Sequence, residues 1–360
     1  MLIDTHCHLN MKEFKNDADE VIKDTLNEGI EMIVVGAQYS TSERAIRYAE
    51  KYNKGVWAVV GLHPIHIDTS NVVKTNKSVI YNDGYAEVFD YDKYLKLAKN
   101  DKVVAIGEVG LDYHHFDTAN MQINYESILS PTGMININNN NKIKNDKLIH
   151  DEGTIGHNNF EKYKKEIGGV IELQKEVFKN FVKLAGEVQK PLAIHCWNAD
   201  KKDRELVNGA MAYEDILEIL VGQKLSVNSL RSSDKINRGD NLTDNKVNYG
   251  GRALNGVIHS FIGSYKIAQR FIDLGFKIGL NGIITYSDSY NRLIKEIGLE
   301  NIILETDAPY LTPNPLKRYT RNEPKNVKLV AQKIADVLGI GIEEVEEITT
   351  ENACQLFNIL

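Results

Sequence analysis

Eight short apolar runs are spaced along the chain, and most are followed by a stretch with helical patterning. They are Leu2–His6, Glu31–Gly36, Val56–Leu62, Val103–Glu108, Pro191–His195, Gly256–His259, Phe276–Asn281 and Ile302–Thr306. Helix-like stretches such as Ser42–Lys51, Leu173–Glu187, Tyr265–Leu274 and Ser289–Ile297 lie between them. Apolar runs alternating with helical patterns specify βαβ units and a parallel sheet. Eight of them predict an α/β chain closed into a (β/α)8 TIM barrel, and 360 residues suit one such barrel. Two further amphipathic segments, Asn326–Leu338 and Ile342–Asn358, are expected to pack outside it.

Three segments interrupt the rhythm. Asn71–Tyr94 has no clear period, Asp117–Gly169 contains the low-complexity tract Ile135–Asn141, and Leu225–Arg252 is polar throughout. Long polar segments without periodicity read as solvated insertions. Residues 1–360 are therefore expected to form a single barrel domain with long polar insertions near 71–94, 117–169 and 225–252. The last insertion carries Arg231, Lys235, Arg238, Lys246 and Arg252, but Asp234, Asp240 and Asp244 are interleaved, as on a solvated loop.

A net charge of −7 argues against a broad basic surface for nucleic acid. It leaves room for a phosphate substrate, because bound metal ions supply positive charge locally. Three widely spaced cysteines form no disulfide framework and suit a reducing compartment. No apolar run is long enough to span a membrane, and the first residues enter a strand directly with no secretory leader. The expected location is the cytoplasm, with the nucleus as the other candidate. No membrane and no obligate protein partner are implied.

The chemistry-bearing residues fall where such a barrel keeps its active site, at the C-terminal ends of the strands. His6 and His8 close the first strand, with imidazoles on one side because strand side chains alternate. His63 follows the third strand, Glu108 ends the fourth, His195 the fifth and His259 the sixth, and Asp307 follows the eighth. Each alone has an ordinary explanation as a polar strand end. Together they are too many polar groups to bury without a partner, and metal ions are the economical one. Glu108 is the natural bridge between two ions, with His6, His8 and Asp307 completing one set and His195 and His259 the other. Two-metal sites with ions roughly 3.5–4 Å apart favour phosphate-ester hydrolysis. Nitrogen and oxygen ligands without sulfur admit Mg²⁺, Zn²⁺ or Mn²⁺. Cys7 and Cys196 have the wrong strand parity to coordinate. Asp307 is placed both to touch the first ion and to take a proton from the attacking water.

The motifs Asp4-Thr5-His6-Cys7-His8, Gly61-Leu62-His63-Pro64, Gly107-Glu108-Val109-Gly110-Leu111-Asp112-Tyr113 and Pro191-Leu192-Ala193-Ile194-His195 occur in that order. His259-Ser260-Phe261-Ile262-Gly263, Glu305-Thr306-Asp307-Ala308-Pro309-Tyr310-Leu311 and Arg321-Asn322-Glu323-Pro324 follow. In this series the chain resembles the TatD-type metal-dependent deoxyribonucleases of the amidohydrolase-like barrel superfamily, over nearly its whole length. The resemblance implies a divalent-metal-dependent nuclease cutting DNA phosphodiesters, often as a 3′→5′ exonuclease on single strands, with RNA as the other substrate to consider. It implies His6, His8, Glu108, His195, His259 and Asp307 as ligands of two ions, Mg²⁺ foremost. It also puts His63, Arg321 and Asn322 on the substrate side.

Two positions depart from the family pattern. Where the family usually has Arg two residues after His195, this chain has Trp197, which shares the His195 face and is expected to stack a base. His259 is followed by Ser260 instead of Cys, at a position expected to face away from the site. The alternative enzyme is an amidohydrolase or lactonase on a small substrate. In that branch a carboxylated lysine commonly bridges the metals, so Glu108 favours the nuclease. A non-catalytic scaffold is disfavoured by the complete ligand set.

Overall fold

The computed structural model describes residues 1–69, 80–81, 84–115, 155–231, 247–249 and 252–359. Eight parallel strands form one sheet in sequence order: β1 (Leu2–Cys7), β2 (Ile30–Val35), β3 (Val56–Val60), β4 (Val103–Asp112), β5 (Leu192–Trp197), β6 (Gly256–Ile258), β7 (Phe276–Leu280) and β8 (Ile302–Leu304). The sheet curls until the segment after β8 meets β1. The Asp307 amide donates to the His6 carbonyl at 2.8 Å and the His8 amide to the Ala308 carbonyl at 2.7 Å. The result is a (β/α)8 barrel, as the alternation predicts. Runs such as Ile30–Val35 become strands because both their faces are covered, one by helices and one by the barrel interior.

Nine helices accompany the strands among the described residues: α1 (Ala18–Asn27), α2 (Tyr39–Lys51), α3 (Tyr91–Ala98), α4 (Ile155–Val188), α5 (Ala212–Arg231), α6 (Tyr265–Asp273), α7 (Asn291–Ile297), α8 (Val327–Leu338) and α9 (Ile342–Phe357). Side-chain caps start several of them. Asp90 accepts from the Lys93 amide ahead of α3, and Ser264 from the Ile267 amide ahead of α6. Helix α8 stops at Gly339 in the left-handed region, φ 71°.

The core has two layers. Leu2, Met32, Val34, Ala58 and Val60 pack outward against the helices. Ile3, Ile33, Val35, Val59, Ala105, Ala193, Val257 and Ile303 fill the interior near the strand starts, together with Ala353, Leu356, Phe357 and Ile359. The final helix therefore does more than pack outside, as its patterning suggested. Its C-terminal end plugs the bottom of the barrel, because an open end would leave those interior residues wet.

The expected insertions are shorter than composition suggests. Residues 91–94 begin α3, whose Tyr94 is fully buried against Phe89 and Phe181. Residues 155–169 are the start of α4, with Ile167 buried, and residues 225–231 continue α5. Tyrosines and charges at helical spacing read as polar loop in the sequence, yet here each helix hides one narrow apolar stripe. Two small antiparallel pairs, Ile80–Tyr81 with Gly84–Tyr85 and Val247–Tyr249 with Arg252–Leu254, lie in the first and third insertions. The Asn-rich tract, Lys235, Arg238 and Lys246 lie outside the described residues.

Candidate metal centre

Strand β1 delivers His6 and His8 to the mouth by breaking its own alternation. Leu2 faces the outer layer and Ile3 the interior, so strict alternation would turn Cys7 inward. The pairing with β2 slips between Asp4 and Cys7, and Cys7 lies in the outer layer, its thiol donating to the Ile33 carbonyl at 3.4 Å. Asp4 ties this bend to the far side of the barrel. Its carboxylate accepts from the Thr306 amide at 2.8 Å and the Thr306 hydroxyl at 2.6 Å. Strand β4 has a similar slip between Ile106 and Val109, where Glu108 turns inward. Gly110, φ 146°, makes this possible, since a Cβ there would lie 2.0 Å from the His195 carbonyl oxygen.

Glu108 is the hub of the mouth. Its Oε2 lies 3.4 Å from His6 Nε2 and 3.6 Å from His8 Nε2. Its Oε1 lies 3.0 Å from His195 Nδ1, 3.3 Å from His63 Nε2 and 3.6 Å from His259 Nε2. Asp307 Oδ1 approaches His8, His259 and His6 at 3.4, 3.8 and 3.9 Å. All of these groups except part of Asp307 are buried. All but His6 line a cavity of about 390 Å³ together with Trp197, His66 and Tyr310. His259 is less separate from the first histidine pair than the sequence suggested, for it stacks directly on His6.

Burial opposes the charge on Glu108, but the imidazoles of His63 and His259 override it and hold the carboxyl well below its usual range. Asp307 is also lowered, with burial opposing and His259 and His8 prevailing. Burial would discharge His259, yet Glu305, Glu108 and Asp307 together raise it to about 10. His66, buried beside His63, is driven down to about 3. Orientation is set by the surroundings. His8 Nδ1 donates to the Val35 carbonyl at 2.9 Å, leaving the Nε2 lone pair aimed into the cavity.

The sequence reading missed the supporting residues. Asp112 accepts the backbone amides of His114 and His115 at 2.9 and 2.7 Å and lies 2.9 Å from His195 Nε2. Gln174 of α4 fixes the Asp112 backbone through both its amide atoms, at 3.0 and 3.2 Å. Glu305 Oε1 lies 3.0 Å from His259 Nδ1 and accepts the Ser260 amide at 2.7 Å. Asp112 had a signal, because it lies four residues past Glu108 in a strand and so shares its face. Glu305 had the same signal, lying two residues before Asp307 at the end of the eighth run.

Other placements differ from expectation. Asn322 is fully buried and donates to the carbonyls of Thr306 and Tyr310 at 3.1 and 2.8 Å, so it braces the Asp307 loop instead of meeting substrate. Arg321 stands outside the metal cavity, its guanidinium bonded to Asp17 at 2.7 and 2.9 Å and to Glu323 at 3.1 Å. Ser260 lines the cavity instead of facing away, because the backbone turns to φ 47° there. Trp197 lines the cavity, stacked on His114 with centroids 4.5 Å apart and planes 6° apart.

Four groups at the mouth can each hold a cation through imidazole nitrogen and carboxylate oxygen: His6, His8 and Glu108; His6, His259 and Glu305; Glu108, His195 and His259; and His63, Asp112 and His195. The fixed His8 tautomer and the converging Nε2 atoms fit divalent ions. A parallel barrel with such a mouth is the architecture of a metal-dependent hydrolase, here one acting on ester bonds. The chain belongs to the TatD family: the family model described as TatD related DNase matches residues 3–130 and 137–358. It is 30% identical over 362 residues to an uncharacterized metal-dependent hydrolase, YabD of Bacillus subtilis (strain 168), with 100% of each chain covered. It is 25% identical over 359 residues to the deoxyribonuclease TATDN3 of Homo sapiens, covering 99% of this chain and 94% of that one. The fold matches the TatD homolog YJJV of Escherichia coli k12 with a TM-score of 0.59 at 20% identity, over 100% of this chain and 98% of that one. No described helix is long and apolar enough to cross a membrane.

Proposed function

We propose that this chain is a deoxyribonuclease that hydrolyses phosphodiester bonds with two divalent ions, acting 3′→5′ on single strands. The carrying observation is that the two oxygens of Glu108 face two different sets of imidazoles, 3.4 Å from His6 and 3.0 Å from His195. One carboxylate can thus serve two ions. Mg²⁺ is the proposed ion in function, and Zn²⁺ or Mn²⁺ suit the same donors.

His6, His8, Asp307 and one Glu108 oxygen would hold the first ion, and His195, His259 and the other Glu108 oxygen the second. Bound there, divalent ions supply a nucleophilic water at neutral pH and neutralise charge on the phosphoryl oxygens. Asp307 accepts the proton of that water as its oxygen attacks phosphorus. The bond from phosphorus to the leaving sugar oxygen then breaks, and that oxygen is protonated from solvent. His63, whose Nε2 lies 3.3 Å from Glu108, is assigned to the phosphate side of the cavity, and Trp197 would offer a ring to the adjacent base.

Three free cysteines, two of them buried, support a reducing location in the cytoplasm or nucleus. The reading is tested by incubating metal-stripped protein with 3′- and 5′-labelled single- and double-stranded DNA, and with RNA, adding Mg²⁺, Mn²⁺ or Zn²⁺ in turn. Stepwise shortening from the 3′ end of single-stranded DNA is expected. No cleavage of DNA with any of the three ions contradicts the reading.

A further inference from the structure

A second concavity of about 630 Å³ opens beside the metal cavity and shares Ile283, Tyr310 and Leu311 with it. Its outer wall carries an aromatic ladder. The Arg318 guanidinium lies 5.0 Å from the Tyr286 ring centroid and 5.1 Å from that of Tyr319. Tyr286 is anchored by its hydroxyl, which donates to the Thr312 carbonyl. Tyr310 links the ladder to the histidine-lined cavity, its ring 6.4 Å from that of His8. Tyr319 is 89% exposed, and Tyr310 and Tyr286 are also open to solvent.

An exposed tyrosine beside two others, held by an arginine, contributes nothing to the core. Single scattered apolar residues need no explanation, but a contiguous row leading into a catalytic cavity does. The charge is also local. From Leu311 to Arg321 the chain holds Lys317, Arg318 and Arg321 with no acidic residue, although the whole chain carries −7. Arg321 is neutralised by Asp17, whereas among the described residues neither Lys317 nor Arg318 forms an ion pair.

The geometry points to this groove as the seat of the nucleotides next to the scissile phosphate, with bases stacked on Tyr319 and Tyr286 and the backbone neutralised by Arg318. Every base has a π-face, so stacking tolerates any sequence, and it requires an unpaired strand. The cation–π contacts already order Arg318, so less freedom is lost when a strand arrives. This inference rests on the nuclease reading above and adds the surface that selects single strands over small diesters.

The test compares a twelve-nucleotide oligothymidine with bis(p-nitrophenyl) phosphate, which reaches only the metal cavity, in the metal-loaded full chain. In the Arg318→Ala/Tyr319→Ala double variant, KM for the oligonucleotide is expected to rise about tenfold or more. Activity on the small diester should stay within about twofold, and Tyr319→Phe, which keeps the ring, should match wild type. An unchanged oligonucleotide KM overturns the inference and leaves the groove to a protein partner. Equal losses on both substrates also overturn it, because the residues then act through the metal cavity or the fold. Fluorescence anisotropy with the labelled oligonucleotide separates this from the nuclease reading. Wild-type binding without cleavage, lost in the double variant, keeps the groove and removes the nuclease, whereas no wild-type binding overturns the groove.

Discussion

The imidazoles of His6 and His259 stack with centroids 3.5 Å apart and planes 19° apart, though one ends β1 and the other follows β6. Two protonated rings at that distance repel, so protons alone serve this cluster poorly. Burial and then the charge of His259 indeed lower His6. Divalent ions between the rings and the carboxylates remove the conflict. Metal should therefore stabilise the fold. Adding Mn²⁺ or Zn²⁺ to stripped protein at about 100 times Kd is expected to contribute about 2.7 kcal/mol and raise Tm by several degrees. Differential scanning calorimetry checks this, and His6→Ala/His259→Ala should abolish most of the shift.

Asp112 acts on the centre through His195. Asp112→Asn keeps an oxygen for the amides of His114 and His115 but weakens the carboxylate partner of His195 Nε2. Metal affinity should fall about 10–100-fold, the scale of a lost supporting carboxylate, with Tm of the metal-free protein nearly unchanged. Competition titration against a metal indicator measures the affinity.

Asn322 is a brace, so its loss should appear first in stability. Asn322→Ala leaves the Thr306 and Tyr310 carbonyls without their donor and removes the acceptor of the Glu323 amide. A cost of about 2–4 kcal/mol is expected in urea unfolding. A cost below about 0.5 kcal/mol would return Asn322 to the surface role that its motif suggests.

The barrel was legible because strands buried on both faces leave apolar runs that nothing else in the chain imitates. The histidines and carboxylates at their ends were legible for the same reason, being polar residues where the runs stop. Helix α3 was not, since Tyr91, Asp92, Lys93 and Tyr94 look polar until Phe181 of α4 packs against Tyr94. The meeting of His6 with His259 depends on barrel curvature and on the slip in β1, neither of which is written in local sequence. Arg321 and Asn322 share a motif, yet one is exposed and the other buried, which only the path of their loop decides.

Asp307 is assigned as the proton acceptor. Asp307→Asn should preserve the fold and most DNA affinity while kcat falls by roughly 10² or more. Steady-state kinetics at saturating metal and substrate read this directly, and a near-normal kcat removes Asp307 from the mechanism.

The central claim is that Glu108 joins two ions. Elemental analysis of metal-loaded protein after gel filtration, wild type beside Glu108→Ala, tests it most directly. Two ions per chain in the wild type are expected, falling to one or fewer in the variant, because both half-sites lose an oxygen that sits within 3.6 Å of their imidazoles. Two ions retained in Glu108→Ala would contradict the account.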